Sequence, residues 1–280
     1  MSQNNSSLIL DNQAALAALQ WHIDNDLADM ILEEPLDRTA PPDLSAIQEQ
    51  IEQVPVQEKS IKVLAEPIIP VLGAAEAITK AKEIAHKCKT LEELQTAIKE
   101  FEGLSLKKTA TNMVFADGNP KSDIMVIGEA PGAEEDAQGK PFIGDAGKLL
   151  DKILNSIELD REHGDMTKSA YLTNLLNWRP PGNRTPTAQE IEISLPFIRK
   201  HIELVQPKYL IILGAVAGKA LLEQKDSISK LRGRFYNYGE AASIQAFVTY
   251  HPTYLLRTPA QKRAVWADML MLKASLETSN

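Results

Sequence analysis

Four short apolar runs, each followed by a loop and then by a helical pattern, constrain the fold of this chain more than any other feature. They are DIMVIG (123–128), AYLTNLL (170–176), KYLIILG (208–214) and IQAFVTY (244–250). Strands that are buried on both faces are continuously apolar, and parallel strands require crossover helices between them. The alternation therefore predicts a three-layer α/β/α domain with a central four-stranded, mostly parallel sheet.

A region of different character precedes this domain. Within residues 10–34, apolar side chains are spaced as on one face of a helix: Leu16, Leu19, Ile23, Leu27 and Ile31. Residues 35–73 contain six prolines and no sustained period, which is typical of a disordered linker. We therefore divide the chain into an N-terminal amphipathic helix (1–34), a disordered, Pro-rich acidic linker (35–75) and the α/β domain (76–280).

The α/β domain begins with one or two helices before its first strand. The stretch AEAITKAKEIAHKCKTLEELQTAIKEFEG is helical in pattern, and Thr90 and Glu93 within it have the spacing of a capping box. Thr185 and Thr187 are candidate caps for the helix that follows the second strand. We therefore expect threonine hydroxyls to accept backbone N–H groups at both helix starts.

Composition and charge exclude several classes of protein. No apolar run approaches the length of a membrane span and no secretory signal is indicated, so we expect a cytoplasmic protein. Cys88 is the only cysteine, which excludes an internal disulfide and any multi-thiolate metal site built from this chain alone. The net charge of −8 comes from residues 1–100, which hold 17 acidic and 8 basic residues. Residues 101–280 hold 21 acidic and 22 basic residues. The acidity therefore does not argue against nucleic-acid binding by the α/β domain.

Unusual residues follow the strands, at the edge of the sheet where α/β proteins bind ligands. The first loop is GEAPGAEEDAQGKPFIGDAG (128–147), whose acids, without a Lys-Ser or Lys-Thr pair, argue against a phosphate site. Phe142 in this loop can stack on a flat ring, and Asn174 after the second strand can read the edge of that ring. His251 after the last strand can stabilise negative charge on it. The loops together predict a site for a polar heteroaromatic ring.

Three separated motifs carry a family resemblance. GEAPGAEEDAQGKPFIGDAG, NLLNWRPPGNRTPT and HPTYLLR occur in this order, and they closely resemble the motifs of bacterial and archaeal uracil-DNA glycosylases of the family 4 type. The resemblance covers roughly residues 91–276. It implies a uracil-DNA glycosylase-like fold and a monofunctional DNA repair enzyme. Such an enzyme flips uracil out of DNA, hydrolyses the bond between base and deoxyribose, and leaves an abasic site.

The resemblance assigns roles to the matched residues. His251 matches the catalytic histidine, Asn174 the asparagine that reads uracil, and Phe142 the ring on which the base stacks. Glu129 and Ala130 match the loop whose backbone contacts uracil. In related families an Asp or Asn at the position of Ala130 orients the attacking water, and alanine has no group that can do so. We therefore take Glu129 as the group that orients this water.

Three consecutive acids in the first loop have different expected roles. Glu135 matches the acid that crowds the base near C5, where thymine carries a methyl group. For Glu134 and Asp136 we expect a solvated face or the charges of a first helical turn.

DNA contacts are expected from the second and third motifs. In HPTYLLR, the rigid His-Pro start directs an apolar side chain outward as a wedge that fills the gap left by the flipped base: Tyr254, Leu255 or Leu256. Three arginines are expected to hold flanking phosphates: Arg179, Arg184 and Arg257.

The chain departs from the family in two respects. Most members bind a [4Fe–4S] cluster through four cysteines, and the matching positions here are Phe101, Leu104, Trp178 and Ser194. We therefore expect no cofactor, with hydrophobic packing in the place of the cluster. Asp145 stands where the family usually has a basic residue, which lowers the positive potential beside the DNA path.

Two other functions stay open from the sequence. A DNA- or damage-binding relative without catalytic activity is suggested by Asp145 and the missing cysteines, whereas retention of Glu129, Phe142, Asn174 and His251 argues against it. Alternatively, the N-terminal helix is the functional part and binds a protein partner. We expect a monomer that binds uracil-containing DNA and no membrane. The range of excised bases and the preference for single- or double-stranded DNA stay open.

Overall fold

The computed structural model describes residues 73–239 and 243–278. The predicted N-terminal helix (1–34) and nearly all of the linker (35–75) lie outside the described residues, so these two assignments stay predictions. Among the described helices, none combines the length and the apolar character that a membrane crossing requires.

A six-stranded mixed sheet forms the centre of the fold. Its strands are β1 (Ala116–Gly118), β2 (Ile124–Gly128), β3 (Tyr171–Asn174), β4 (Tyr209–Leu213), β5 (Phe235–Tyr238) and β6 (Ile244–Thr249). The strand order is β1-β3-β2-β4-β6-β5. The four central strands pair in parallel and are the four that the apolar runs predict, which confirms the α/β fold class. The edge strands β1 and β5 pair antiparallel and were not predicted, because their half-buried residues form no continuous apolar run.

Helices cover both faces of the sheet. They are α1 (Ala74–Lys87), α2 (Leu91–Glu100), α3 (Ala133–Gln138), α4 (Asp145–Asn155), α5 (Ala188–Val205), α6 (Ala215–Leu222), α7 (Ile228–Leu231), α8 (Pro252–Arg257) and α9 (Lys262–Thr278). The side chains of β2 show the layering, since Met125 and Ile127 join the core beneath α1, α2, α5 and α6. Ile124 and Val126 point to the opposite face, into the core with α4, α8 and α9. The result is the expected three-layer arrangement.

Two helix starts test the predicted caps. The Thr90 hydroxyl accepts the N–H of Glu93 at 3.2 Å, but the Glu93 carboxylate accepts the N–H of Lys89 rather than that of Thr90. The predicted capping box is therefore only half formed at α2. At α5, Thr187 and Glu190 form the complete box, with the hydroxyl and the carboxylate each accepting the other residue's N–H.

Candidate active site

The loops that follow β2, β3 and β6 converge on one open cleft of about 480 Å³. Because these strands are parallel, their carboxyl ends meet at the same edge of the sheet. Nine of the residues predicted from the first, second and third motifs line this cleft: Glu129, Ala130, Glu135, Phe142, Asn174, Arg184, His251, Tyr254 and Arg257. The cleft is therefore the candidate active site.

Asn174 is the last residue of β3 and is 2% exposed. Its Oδ1 atom is buried, and no hydrogen-bond partner for it exists among the residues that the structure describes. The neighbouring strand residue Gly128 leaves room for this side chain, since a Cβ atom there would lie 2.4 Å from Asn174 Oδ1 and 2.5 Å from Phe142 Cζ. An unpaired buried acceptor costs free energy, so a ligand donor is the expected partner.

His251 is the N-cap residue of α8, and this position fixes the proton on its ring. Its Nδ1 accepts the backbone N–H of Thr253 at 3.2 Å, so in the neutral ring the proton resides on Nε2. Nε2 is buried and also lacks a hydrogen-bond partner within the described part of the chain. Burial lowers the pKa of His251 to about 4, although the nearby Glu135 carboxylate raises it. At neutral pH the side chain is thus a neutral donor that is held ready for an acceptor.

Phe142 lies beside these two polar groups. Its ring centroid is 6.1 Å from that of His251, with the two planes inclined by 35°. The residue is buried and has a φ of 54°, in the left-handed region that side chains other than glycine rarely adopt. A stacking ring, an acceptor and a donor therefore share one cleft.

Glu129 and Ala130 follow β2 and are both half-buried. The Glu129 carbonyl accepts the N–H of Leu176 at 3.1 Å, which extends the pairing of β2 with the chain after β3. Desolvation raises the pKa of the Glu129 carboxyl group above its usual range. Glu129 is therefore placed in the cleft with an increased tendency to take up a proton.

Glu135 holds the first loop closed. One carboxylate oxygen accepts the N–H groups of Ile143 and Gly144, both at 3.0 Å, and the other accepts that of Gly132 at 3.1 Å. These bonds link the start of α3 to the segment after Phe142. Glu135 lines the cleft, as expected, but its oxygens are occupied by the backbone rather than free.

Asp136 lies in the first turn of α3, which is one of the two roles expected for it from the sequence. The alternative expectation, a solvated side chain, is wrong for Asp136, which is 4% exposed. Its Oδ1 accepts the N–H groups of Thr111 and Asn112, and Oδ2 lies 3.9 Å from Arg179 Nη1. The side chain is buried because this side of α3 faces the chain before β1 instead of solvent.

The three arginines that are expected to bind phosphate differ in how far their guanidinium groups are already bonded to other protein groups. Arg184 makes a two-bond ion pair with the buried Glu190, which holds the guanidinium against the start of α5. Arg179 donates to Asn183 at 2.7 Å and is half-buried beside Asp136. Arg257 is exposed at the cleft and is the best placed of the three to meet a phosphate.

The HPTYLLR motif forms the short helix α8, and this changes the expected wedge. Leu255 is fully buried in the core beneath α4 and α9, so its assignment as a DNA-contacting side chain is not supported by this conformation. Leu256, the next residue, is 44% exposed. Tyr254 is half-exposed and its ring packs on that of Tyr250 at 5.0 Å. Consecutive residues of a helix point in different directions, and of the two leucines in α8 only Leu256 faces solvent.

Comparison with known proteins identifies the family of this chain. The sequence model of the Uracil DNA glycosylase superfamily matches residues 115–270. The Type-4 uracil-DNA glycosylase of Pyrobaculum aerophilum is 36% identical over 187 residues, which cover 65% of this chain and 92% of the relative. The chain belongs to the type-4 uracil-DNA glycosylase family. The relatives from Saccharolobus solfataricus and Archaeoglobus fulgidus are 37% and 34% identical, over 84% and 89% of their lengths.

The [4Fe–4S] cluster that the family implies does not fit the residues of this member. Buried side chains occupy the four positions that we match to the family's cluster ligands: Phe101, Leu104, Trp178 and Ser194. None supplies a thiolate, and the ring of Phe101 packs edge-on against Phe197 with centroids 5.2 Å apart. Cys88, the only cysteine, is buried and donates to the Ile84 carbonyl. Within the described ranges, no cluster of His, Cys, Asp or Glu side chains is arranged to hold a metal ion.

Two features of this family member escaped the sequence analysis. The N–H of Thr253, which orients His251, belongs to a helix that we did not predict. The signal was present, because His251 followed by Pro252 has the form of an N-cap residue with proline at the first helical position. Arg161 bonds the backbone around Phe142, and it lies outside all three motifs.

Proposed function

We propose that this chain is a monofunctional uracil-DNA glycosylase, which hydrolyses the bond between uracil and deoxyribose in DNA and leaves an abasic site. One observation carries the proposal. Two buried polar atoms without partners among the described residues, Asn174 Oδ1 and His251 Nε2, belong to side chains that line the same cleft as Phe142. Buried unpaired atoms of this kind are expected where a ligand completes the hydrogen bonding.

The donor and acceptor pattern of uracil suits this cleft. Uracil presents an N3–H donor between two carbonyl acceptors on one edge of a flat ring. Asn174 Oδ1 is an acceptor for the N3–H group, and the protonated Nε2 of His251 is a donor for a carbonyl oxygen. Phe142 supplies the stacking surface, and stacking on one aromatic ring contributes about 1–3 kcal/mol. That amount offsets much of the few kcal/mol needed to extrude a nucleotide from a duplex.

The chemical step is stabilised electrostatically. As the bond between C1′ and N1 breaks, its electron pair leaves with uracil, and positive charge develops on the sugar. The neutral His251 donates its Nε2–H to the uracil oxygen on which negative charge develops. Water then forms the new bond to C1′ and loses a proton. Glu129 is our candidate to orient that water and receive its proton, since desolvation raises the pKa of this carboxyl group.

DNA binding is assigned to the rim of the cleft. Arg257 is proposed to hold a phosphate beside the flipped nucleotide, with Arg179 in support. The exposed Leu256, with Tyr254, is proposed to fill the space that the flipped base leaves in the stack. We further propose that the enzyme needs no metal cofactor, since hydrophobic side chains occupy three of the four family ligand positions and serine the fourth.

A single-turnover excision assay tests the proposal. Purified protein is incubated with a uracil-containing oligonucleotide, and abasic sites are cleaved with alkali and resolved on a gel. The control is the same oligonucleotide with thymine at the uracil position. We expect cleavage only with uracil, and we expect His251→Ala to reduce the rate by about 10²–10³, as for loss of one oxyanion donor. DNA binding by His251→Ala should change far less, because its contribution exists mainly in the transition state.

The same assay separates the enzyme from the DNA-binding alternative. If the wild-type protein binds uracil-containing DNA but releases no uracil, and His251→Ala behaves identically, the catalytic proposal is wrong. The chain would then be a binding relative that has kept the fold.

A further inference from the structure

Arg161 lies between α4 and β3, and its guanidinium is joined to the backbone that carries Phe142. Nη1 donates to the Pro141 carbonyl at 3.1 Å, and Nη2 donates to the Phe142 carbonyl at 2.9 Å. The side chain is only 9% exposed. Two adjacent carbonyl groups on either side of the Phe142 α-carbon are thus held by one planar group.

Two carboxylates fix the guanidinium from the other side. Asp151 on α4 accepts from Nε at 2.9 Å and from Nη2 at 2.6 Å, and Asp117 on β1 accepts from Nη1 at 3.2 Å. Both carboxylates are partly exposed, at 27% for Asp117 and 40% for Asp151, so each can be hydrated if the arginine is removed. Arg161 therefore connects a strand, a helix and the Phe142 loop through a rigid fork of donors.

The Phe142 backbone requires such support. A residue other than glycine in the left-handed region costs about 1–3 kcal/mol and persists only where its surroundings hold it. The Phe142 φ is 54°. On its far side, Glu135 accepts the next two N–H groups, those of Ile143 and Gly144. The Phe142 carbonyl is also closely packed, since a Cβ at Gly147 would lie only 1.9 Å from it.

We propose that Arg161 is a positioning residue for base capture, which acts by holding the Phe142 ring at the angle that stacks on the flipped uracil. This inference rests on the proposed glycosylase function. Arg161 does not line the cleft, so it touches neither the base nor the reacting atoms. Its effect on the base passes through the backbone that carries Phe142. A lysine has a single charged nitrogen and cannot bridge both carbonyls and both carboxylates at once.

Inhibition by free uracil gives the most direct test, because it reports stacking without DNA contacts. Loss of one stacking contact corresponds to a decrease of about 5- to 150-fold in affinity. We expect Arg161→Met to weaken uracil inhibition within this range and by nearly the same factor as Phe142→Ala. The half-saturating concentration in single-turnover excision should rise more than the maximal rate falls. In the Phe142→Ala background, Arg161→Met should have no further effect.

Controls separate this role from a general loss of structure. Arg161→Lys keeps the charge and the stem, and we expect it to show most of the same defect, since it cannot form both carbonyl bonds. Leu272→Ala removes a fully buried side chain of α9 that does not line the cleft, and it should lower the melting temperature without weakening uracil inhibition. If Arg161→Met does not fold, Arg161→Lys provides the same comparison.

Two results would overturn the inference. One is full additivity, in which Arg161→Met lowers excision as much in the Phe142→Ala background as in the wild type. The other is rescue of uracil inhibition to the wild-type value by Arg161→Lys. Failure of the glycosylase proposal looks different, because the wild-type protein itself would then release no uracil.

Discussion

Replacing Gly128 with alanine should damage the active site while it leaves the fold intact. Gly128 ends β2 with an ordinary strand backbone, and its φ is not among the positive values in the described chain. A Cβ atom there would lie 2.4 Å from Asn174 Oδ1 and 2.5 Å from Phe142 Cζ. Contacts of this kind normally lie near 3.4 Å or beyond, so the reading amide and the stacking ring must each move by about 1 Å.

The expected effect follows from that displacement. A misplacement of 1 Å in an active site can reduce a rate by about 10²-fold, and we expect at least that loss in single-turnover excision. Overpacking at the same position should lower the free energy of unfolding by about 1–3 kcal/mol, which leaves the protein folded. Excision is measured by gel assay and stability by denaturant unfolding.

Gly218→Ala is the matched control for this variant. Gly218 lies in α6, and a Cβ there would meet Val248 at an ordinary contact distance of 3.4 Å. Alanine in place of a helical glycine should raise stability by up to about 1 kcal/mol, with excision unchanged. If Gly128→Ala excised uracil at the wild-type rate, the reasoning would be refuted, because neither Asn174 nor Phe142 would then need its observed position.

Three further predictions concern pH, metal content and the DNA wedge. Because burial lowers the pKa of His251 to about 4, the ratio of the wild-type rate to the His251→Ala rate should be constant from about pH 5.5 to 8; a ratio that follows a group titrating near 6.5 would contradict this. Protein purified without oxygen should be colourless and contain no stoichiometric iron, and bound iron with sulfide would show that our alignment of the cysteine positions is wrong. Leu256→Ala should slow excision from duplex DNA more than from single strands, and equal effects on both substrates would exclude Leu256 as the wedge. Leu255→Ala, at a buried position, should instead lower the free energy of unfolding by about 2–5 kcal/mol.

The parts of the fold that were predictable are those in which burial leaves a continuous pattern. The four central strands are buried on both faces, so they appear in the sequence as apolar runs. Both ends of each run lie within two residues of the ends of the observed strand. The edge strand β5 has the sequence FYNY, in which every residue is at least partly exposed. Half-buried edge strands give short mixed patterns that do not differ from loops.

The candidate site was predictable where it depends on strand ends and unpredictable where it depends on distant contacts. Asn174 ends one parallel strand and His251 follows another, so topology alone brings them together. Arg161 is separated by 44 residues from Asp117 and by 19 from Phe142, and no local pattern connects them. Leu255 and Leu256 are adjacent and chemically identical, so only the helix direction determines which of them is buried.

The charge state of His251 shows how the loop and the helix start act together. The Glu135 carboxylate favours a protonated imidazole. Three backbone N–H groups already donate to this carboxylate, which reduces the stabilisation that it gives to the imidazolium. Protonation would also place a proton on Nδ1, against the N–H of Thr253 that Nδ1 now accepts. Burial and the helix start therefore outweigh the acid, and the ring stays neutral. Between about pH 6.5 and 4 the unfolded chain binds a proton at His251 that the folded chain does not. The free energy of unfolding therefore decreases as the pH is lowered from 6.5 to 4.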